Sequence, residues 1–132
     1  ARSMIPINKR HSGIRILMYH SIGGAPEDHK LGIRVPTDNF EQQLKSIKAE
    51  GYRSLTVSEI LDIPPDAEGV KCIAITFDDG YKDNYMTAAA LLKKNNLTAT
   101  FFITTSYIDG ESKRLWANGH KREYMNWKDV AR

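Results

Sequence analysis

The chain has 132 residues, of which 41% are hydrophobic and 27% are charged, and this composition is typical of one soluble globular domain. The net charge of +3 is small, and the 19 basic residues are mixed with 16 acidic ones, so we expect no nucleic-acid partner. No apolar run approaches the roughly 20 residues that a helix needs to cross a bilayer, and the amino end lacks the apolar centre of a signal peptide. We therefore expect neither a membrane span nor a signal peptide in this sequence.

The first part of the chain predicts a strand and then a long helix. We interpret residues 1–13, which begin with Ala-Arg-Ser before a methionine, as an N-terminal extension or an expression remnant. Residues 14–20 (IRILMYH) are apolar and rich in β-type residues, which favours a strand. Residues 38–51 carry apolar side chains at helical spacing. Asp38 stands three residues before Glu41, as in a capping box, so we expect this helix to begin at Asp38 and to end at a glycine.

A second pair of elements precedes the most apolar run of the chain. Residues 52–55 predict a short strand, and residues 56–62 predict a helix with a capping box made of Thr56 and Glu59. Residues 70–77 (VKCIAITF) are largely apolar, as expected of a strand that is covered on both faces of a parallel sheet. The single cysteine lies in this run, so we expect a buried, unreactive thiol and no disulfide.

The rest of the chain continues the alternation. Residues 83–96, rich in alanine and leucine, predict a helix, and residues 97–105 predict a strand. A further helix is expected to begin at Asn126, with Trp127 as a core residue. Strands that alternate with helices are typical of parallel βα units joined by right-handed crossovers. The sequence therefore predicts an α/β fold.

Polar side chains stand at the ends of three of the predicted strands. His20 ends the first, the pair Asp78 and Asp79 ends the apolar one, and Thr104 and Thr105 end the last. In parallel α/β folds the chemistry collects where the carboxyl ends of the strands meet the loops. We therefore expect these side chains to share one rim of the sheet.

The adjacent acids Asp78 and Asp79 have two interpretations. Followed by Gly80, they suit a simple turn and a helix cap, because aspartate and glycine favour both. However, Asp78 directly follows an apolar strand, where an ionised carboxylate is costly without a cation or a donor nearby. Two neighbouring carboxylates in a cleft also require a positive charge between them or a proton on one of them. This requirement favours a metal ligand beside a general base, or an acid beside a base.

The stretch ITFDDGYKDNY, residues 75–85, resembles the first motif of the polysaccharide deacetylases, carbohydrate esterases that share the NodB homology domain. The resemblance covers nearly the whole chain after Gly13. Four further stretches are similar to what this family shows in the same order, namely residues 16–23, 40–60, 97–104 and 125–132.

This resemblance implies a distorted (β/α) barrel that removes acetyl groups from N-acetylated sugars by divalent-metal-dependent hydrolysis. By position, Asp78 corresponds to the general base and Asp79 to a metal ligand. The implied metal is most commonly zinc, with cobalt or nickel as substitutes. The implied substrate is a polysaccharide or oligosaccharide of the chitin, peptidoglycan or exopolysaccharide type, which suggests the cell envelope or another extracytoplasmic location. His20 matches a histidine that lies near the active cleft of some members, where it contacts substrate or supports the site; the alternative is a hydrogen-bonded scaffold residue.

The sequence departs from the family pattern in its histidines. The family completes its metal site with a His-x-x-x-His segment that comes after the stretch resembled by residues 125–132, so the histidine ligands are expected beyond the chain end. No two of the four histidines have that spacing; they are His11, His20, His29 and His120. We therefore expect residues 14–132 to be the amino-terminal part of a single NodB-like deacetylase domain, an incomplete barrel that is inactive alone. A retained fragment or a second chain is expected to complete it.

Two other functions remain compatible with the residues. Paired aspartates at the end of a parallel strand also hold magnesium in phosphoryl-transfer proteins. A carbohydrate-binding or assembly module that keeps the fold without a working site is the non-enzymatic alternative. Around the acids, Tyr81, Asp83 and Asn84 are expected to shape the turn and cap the next helix. Trp116 is a candidate for a sugar contact.

Overall fold

The computed structural model describes four stretches of the chain, residues 14–23, 32–64, 71–108 and 123–131. Several predicted features lie outside the described residues, namely residues 1–13, which include His11, and also His29, Trp116 and His120.

The described residues form a mixed α/β structure. Its strands are β1 (Arg15–Tyr19), β2 (Ser21–Ile22), β3 (Arg34–Val35), β4 (Arg53–Ser54), β5 (Cys72–Phe77) and β6 (Thr100–Phe101). Its helices are α1 (Thr37–Ala49), α2 (Val57–Leu61), a π-helical turn (Asn84–Ala88) that continues into α3 (Ala89–Lys94), α4 (Thr105–Ile108) and α5 (Trp127–Val130). No helix in these ranges is both long enough and apolar enough to span a membrane.

Strand β5 is the centre of a parallel sheet. It pairs with β1 over its length, with Tyr19 opposite Phe77. On its other side, β4 pairs with the amino end of β5 and β6 with the carboxyl end, where Phe77 lies opposite Phe101. Every pairing in this sheet is parallel, which confirms the predicted α/β class. Because β1 and β5 end at the same level, the residues that follow them share one rim.

Both faces of β5 are covered, as its apolar sequence predicts. All six of its residues are buried. On one face Phe77 packs in a core of aromatic rings, stacked on Phe101 at 4.8 Å and edge-on to Phe40 of α1 at 5.8 Å. On the other face Cys72 and Ala74 pack beside α2. The predicted burial of the Cys72 thiol is confirmed, and β5 is thereby a rigid base for the residues after it.

The start of α1 differs from the prediction. The helix begins at Thr37, its cap is Pro36, and no side chain caps it, so the predicted capping box of Asp38 and Glu41 is wrong. Pro36 itself is extended, with φ of −56° and ψ of 143°, and its side chain has no group that could bond to the helix amides. The start at Thr37 places Asp38 inside the first turn, where its charge favours the helix amino end.

The capping box predicted for α2 is confirmed. The Thr56 hydroxyl accepts a hydrogen bond from the Glu59 amide (3.2 Å), and the Glu59 carboxylate accepts one from the Thr56 amide (2.7 Å). The bonds that the Glu59 carboxylate accepts from the Thr56 amide and from the Thr56 hydroxyl favour its ionised form, so they lower the pKa of Glu59 below its usual value. Helix α5 likewise follows Asn126, as predicted, and Asn126 caps it together with Asp129.

Two predictions for the later elements are wrong. The strand expected over residues 97–105 is only the two residues of β6, and Thr105 begins α4 instead. The Thr98 amide bonds to the Ser54 hydroxyl at 2.8 Å, so this stretch is held by β4 before it reaches β5. Trp127 is 49% exposed and is not a core residue.

Candidate active site

The ends of β1 and β5 bring His20 and Asp78 together. The Asp78 amide donates to the Tyr19 carbonyl at 3.0 Å, which continues the β1–β5 pairing by one residue. The His20 Nε2 atom lies 3.9 Å from Asp78 Oδ2, and the two side chains are 23% and 33% exposed. This distance exceeds that of a direct hydrogen bond. The predicted neighbourhood of His20 and Asp78 is therefore confirmed, and both groups remain accessible from outside.

Asp79 and Gly80 form a tight turn with left-handed backbone. Their φ angles are 73° and 77°, a region that is costly for residues with a Cβ atom and that aspartate visits more readily than most. Gly80 is also closely packed, since a Cβ there would lie 3.3 Å from side-chain carbons of Ile103 and Ile108. The turn directs the chain away from β5 immediately after the two acids.

The conformation of Asp79 is not explained by a helix end. The other described non-glycine residue with positive φ is Asn96, which follows α3 in the position where a left-handed residue commonly ends a helix. Asp79 precedes a helix, and the cap of that helix is Asp83. Within the described residues, no hydrogen bond involves the Asp79 carboxylate. The strained backbone thus presents a carboxylate that is available to a ligand.

The helix after the turn is tied to the end of β1. Asn84 is buried, and its side-chain amide donates to the His20 carbonyl at 2.7 Å. The Asp83 carboxylate accepts bonds from the Ser21 hydroxyl (2.7 Å) and the Ile22 amide (3.0 Å). We expected these two residues to cap the helix, which is wrong, because neither side chain makes a capping hydrogen bond. Their partners are 61 to 64 residues away in sequence, so no local pattern reveals them.

The threonines predicted at the rim have another role. The Thr104 carbonyl accepts hydrogen bonds from the amides of Tyr107 and Ile108 at the start of α4, and Thr105 is the first residue of that helix. Among the described residues, neither threonine makes a hydrogen bond to Asp78 or Asp79.

The carboxylates of the site are of a chemical type that binds divalent metals. Carboxylate oxygens bind zinc as well as harder cations, and both Asp78 and Asp79 are partly exposed at the strand end. Among the described residues, however, no group of three or more His, Cys, Asp or Glu side chains is arranged to hold a metal. Zinc sites usually draw three or four protein donors, so Asp78 and Asp79 alone would not complete one.

The site thus consists of a buried parallel strand that ends in two adjacent carboxylates, with a histidine beside the first. Known proteins with similar sequences and folds indicate the family. The sequence model of the family described as polysaccharide deacetylase matches residues 66–128. The protein YxkH of Bacillus subtilis (strain 168), which carries a polysaccharide deacetylase name, is 43% identical over 90 residues, covering 67% of this chain and 30% of YxkH.

Two further relatives are similar over most of the chain. The deacetylase PplD of Streptococcus pyogenes, solved in complex with acetate, is 30% identical with a TM-score of 0.67; the match covers 89% of this chain and 50% of PplD. The poly-beta-1,6-N-acetyl-D-glucosamine N-deacetylase of Escherichia coli (strain K12) is 22% identical over 126 residues, 91% of this chain and 19% of that protein. The chain thus spans half or less of the length of these relatives.

The chain belongs to the polysaccharide deacetylase family. Its fold is that of the NodB-type deacetylases, a (β/α) barrel of which it forms a part. The family and the fold class predicted from the residues around Asp78 are both confirmed.

Proposed function

We propose that this protein catalyses the metal-dependent hydrolysis of N-acetyl groups on an N-acetylated polysaccharide. The observation that carries the proposal is the pair of accessible carboxylates at the end of β5, with Asp79 held in a left-handed turn and Asp78 beside His20. The family membership supports an acetyl group as the acyl group that is transferred to water. A polymer of N-acetylglucosamine is the substrate class we favour, since it is the substrate named for the Escherichia coli relative. Such a polymer places the reaction at or outside the cell envelope.

In this proposal Asp79 is a metal ligand and Asp78 is the general base. The divalent metal, most commonly zinc, supplies a Lewis acid that polarises the acetyl carbonyl and acidifies water. Asp78 accepts the proton of the attacking water and holds it at a carboxylate oxygen. His20, 3.9 Å from Asp78 Oδ2, limits the positions that this carboxylate can take. A proton then passes to the amide nitrogen as the C–N bond breaks, so that acetate and a free amine on the sugar result.

We further propose that residues 14–132 are the amino-terminal part of one deacetylase domain, preceded by an extension over residues 1–13. One face of β1 is apolar and exposed, with exposures of 61% at Ile16 and 65% at Met18. Strands of parallel sheets are normally covered on both faces. The remainder of the barrel, from the same protein or a second chain, would cover this face and supply the missing metal ligands.

The test is acetate release from N-acetylglucosamine oligomers by the complete protein that contains these residues, after chelation and return of zinc, cobalt or magnesium. We expect zinc or cobalt to restore activity. We expect Asp78→Asn to lower kcat by at least ~100-fold, the lower range for loss of a general base, and Asp79→Asn to abolish the restoration by metal.

The matched control is Asp38→Asn, because Asp38 is exposed on α1 and caps nothing. It should leave activity unchanged. Full turnover by Asp78→Asn, or release only from a phosphoester with magnesium, would overturn the proposal. Sugar binding without turnover in any variant would instead indicate a non-catalytic module.

A further inference from the structure

We infer that Asp83 and Asn84 are positioning residues that fix His20 against Asp78. This inference rests on the proposed function, because it assigns these residues a role in the same site. They do not contact the reacting atoms. They act through the backbone of residues 20–22, which they hold by hydrogen bonds across the start of the helix.

Asn84 provides the first half of this link. It is 1% exposed, and its Nδ2 group donates both to the His20 carbonyl (2.7 Å) and to Asp83 Oδ1 (2.9 Å). Both amide protons are therefore used, which also fixes the orientation of the amide group. A buried side chain with two short hydrogen bonds has little freedom to move, so the His20 carbonyl is held in one place.

Asp83 provides the second half. Its Oδ2 atom accepts the Ser21 hydroxyl at 2.7 Å and its Oδ1 atom accepts the Ile22 amide at 3.0 Å. Bonds to an ionised carboxylate are stronger than those between neutral groups. Ser21 and Ile22 are themselves buried, at 2% and 1% exposed. The two residues after His20 are thus held as firmly as His20 itself.

Together these bonds fix His20 from both sides. On its amino side, the Tyr19 carbonyl accepts the Asp78 amide at 3.0 Å. On its carboxyl side, Asn84 holds the His20 carbonyl, and Asp83 holds the Ser21 hydroxyl and the Ile22 amide. The separation between His20 Nε2 and Asp78 Oδ2 is therefore set by the helix that follows the Asp-Gly turn. Asn84 is also the first residue of the π-helical turn, a distortion that is frequent at functional sites.

The experiment compares Asn84→Ala and Asp83→Ala with a matched control, Asn95→Ala. Asn95 lies at the other end of the same helix, and its side-chain amide also donates to a backbone carbonyl, that of Leu91 at 2.8 Å. The His20 ring is observed directly by ¹H–¹³C NMR of the complete protein, with its signal assigned by its loss in His20→Gln. The kcat and KM values for acetate release are measured on the complete protein.

We expect Asn84→Ala and Asp83→Ala to shift and broaden the His20 ring signal. Both should lower kcat by ~10- to 100-fold, the range for loss of a supporting partner in an active site, with KM within about twofold. Asp83→Asn retains one acceptor oxygen and should recover part of the lost kcat. Asn95→Ala should change melting temperature without changing the ring signal or kcat.

Ser21→Ala removes a single hydrogen bond to Asp83. It replaces Asp83→Ala and Asn84→Ala in the experiment if those variants do not fold. It should move the His20 signal in the same direction by a smaller amount. An unchanged ring signal in every folded variant, or a kcat loss that follows melting temperature equally in Asn95→Ala, would overturn the inference. The ring signal does not depend on turnover, so failure of the proposed function alone would leave it shifted.

Discussion

Asp79 combines a strained backbone with a carboxylate that no described residue binds. The left-handed φ of 73° disfavours most side chains, and the neighbouring glycine removes the same restriction one residue later. Asp79 and Gly80 therefore depend on each other, because Gly80 permits the turn and the turn determines where the Asp79 carboxylate lies. We expect each of them to be sensitive to substitution for a different reason.

At Gly80 the conformational cost can be separated from the packing cost. Gly51 has the same φ of 77°, and a Cβ there would meet nothing within 4 Å, whereas at Gly80 it would lie 3.3 Å from Ile103 and Ile108. Gly51→Ala should lower the free energy of unfolding by ~1 kcal/mol, the cost of a left-handed alanine. Gly80→Ala should cost a further ~1–3 kcal/mol from overpacking. Urea denaturation followed by circular dichroism measures both, and equal losses would contradict the packing argument.

Helix α2 begins with a complete capping box. Thr56→Ala should lower the free energy of unfolding by ~1 kcal/mol, as is usual for loss of an amino-terminal cap. Ser58→Ala, an exposed change in the same helix, should have little effect. Thermal melts of the two variants check this, and indistinguishable melting temperatures would show that the capping box is not stabilising.

The same cap predicts a pH dependence. Hydrogen bonds from Thr56 lower the pKa of Glu59 below its usual 4.5, so the ionised form is favoured in the folded state. The stabilisation is therefore complete above pH 4.5 and is lost as the pH falls through the lowered folded pKa. The melting temperature of the unmodified chain should exceed that of Glu59→Gln at pH 7, and the difference should shrink below pH 4.5. A difference that grows in acid would contradict the assignment.

Element by element, the sequence predicts what local chemistry determines. The apolar run of β5, the Thr56 box and the start of α5 at Asn126 all depend on neighbours within a few residues, and all are confirmed. One prediction fails because a distant partner decides. Residues 97–99 have the sequence of a strand, but the Thr98 amide bonds to the Ser54 hydroxyl. The prediction for α1 fails for a local reason, since the helix starts directly after Pro36 and so ahead of Asp38.

In the site, too, the sequence predicts what neighbouring residues determine and misses what distant residues determine. The neighbourhood of Asp78 and His20 follows from two parallel strands that end at one level, and sequence patterns indicate both strands. The link from Asp83 and Asn84 to residues 20–22 crosses more than 60 positions. Aspartate and asparagine at a helix start ordinarily indicate a cap, so the sequence alone favours the wrong partner for both.

For the whole molecule, the exposed face of β1 has a consequence for stability. In the 132-residue chain Met18→Thr should change the free energy of unfolding by less than ~0.5 kcal/mol, as is usual at the surface. In a complete deacetylase, where we propose that this face is covered, the same change should cost ~1–3 kcal/mol. Ile75→Val, at a fully buried position, is the control and should cost ~1 kcal/mol in both forms. An equally small effect of Met18→Thr in both would contradict the proposed cover.

The most direct test of the account is the position of a metal at the end of β5. Crystals of the complete protein soaked with zinc are measured at the zinc absorption edge. We predict an anomalous peak about 2.0–2.2 Å from a carboxylate oxygen of Asp79, the usual zinc–oxygen distance. No peak there, with the carboxylates of Asp78 and Asp79 bonded to nearby backbone amides, would contradict a metal-dependent deacetylase at this site.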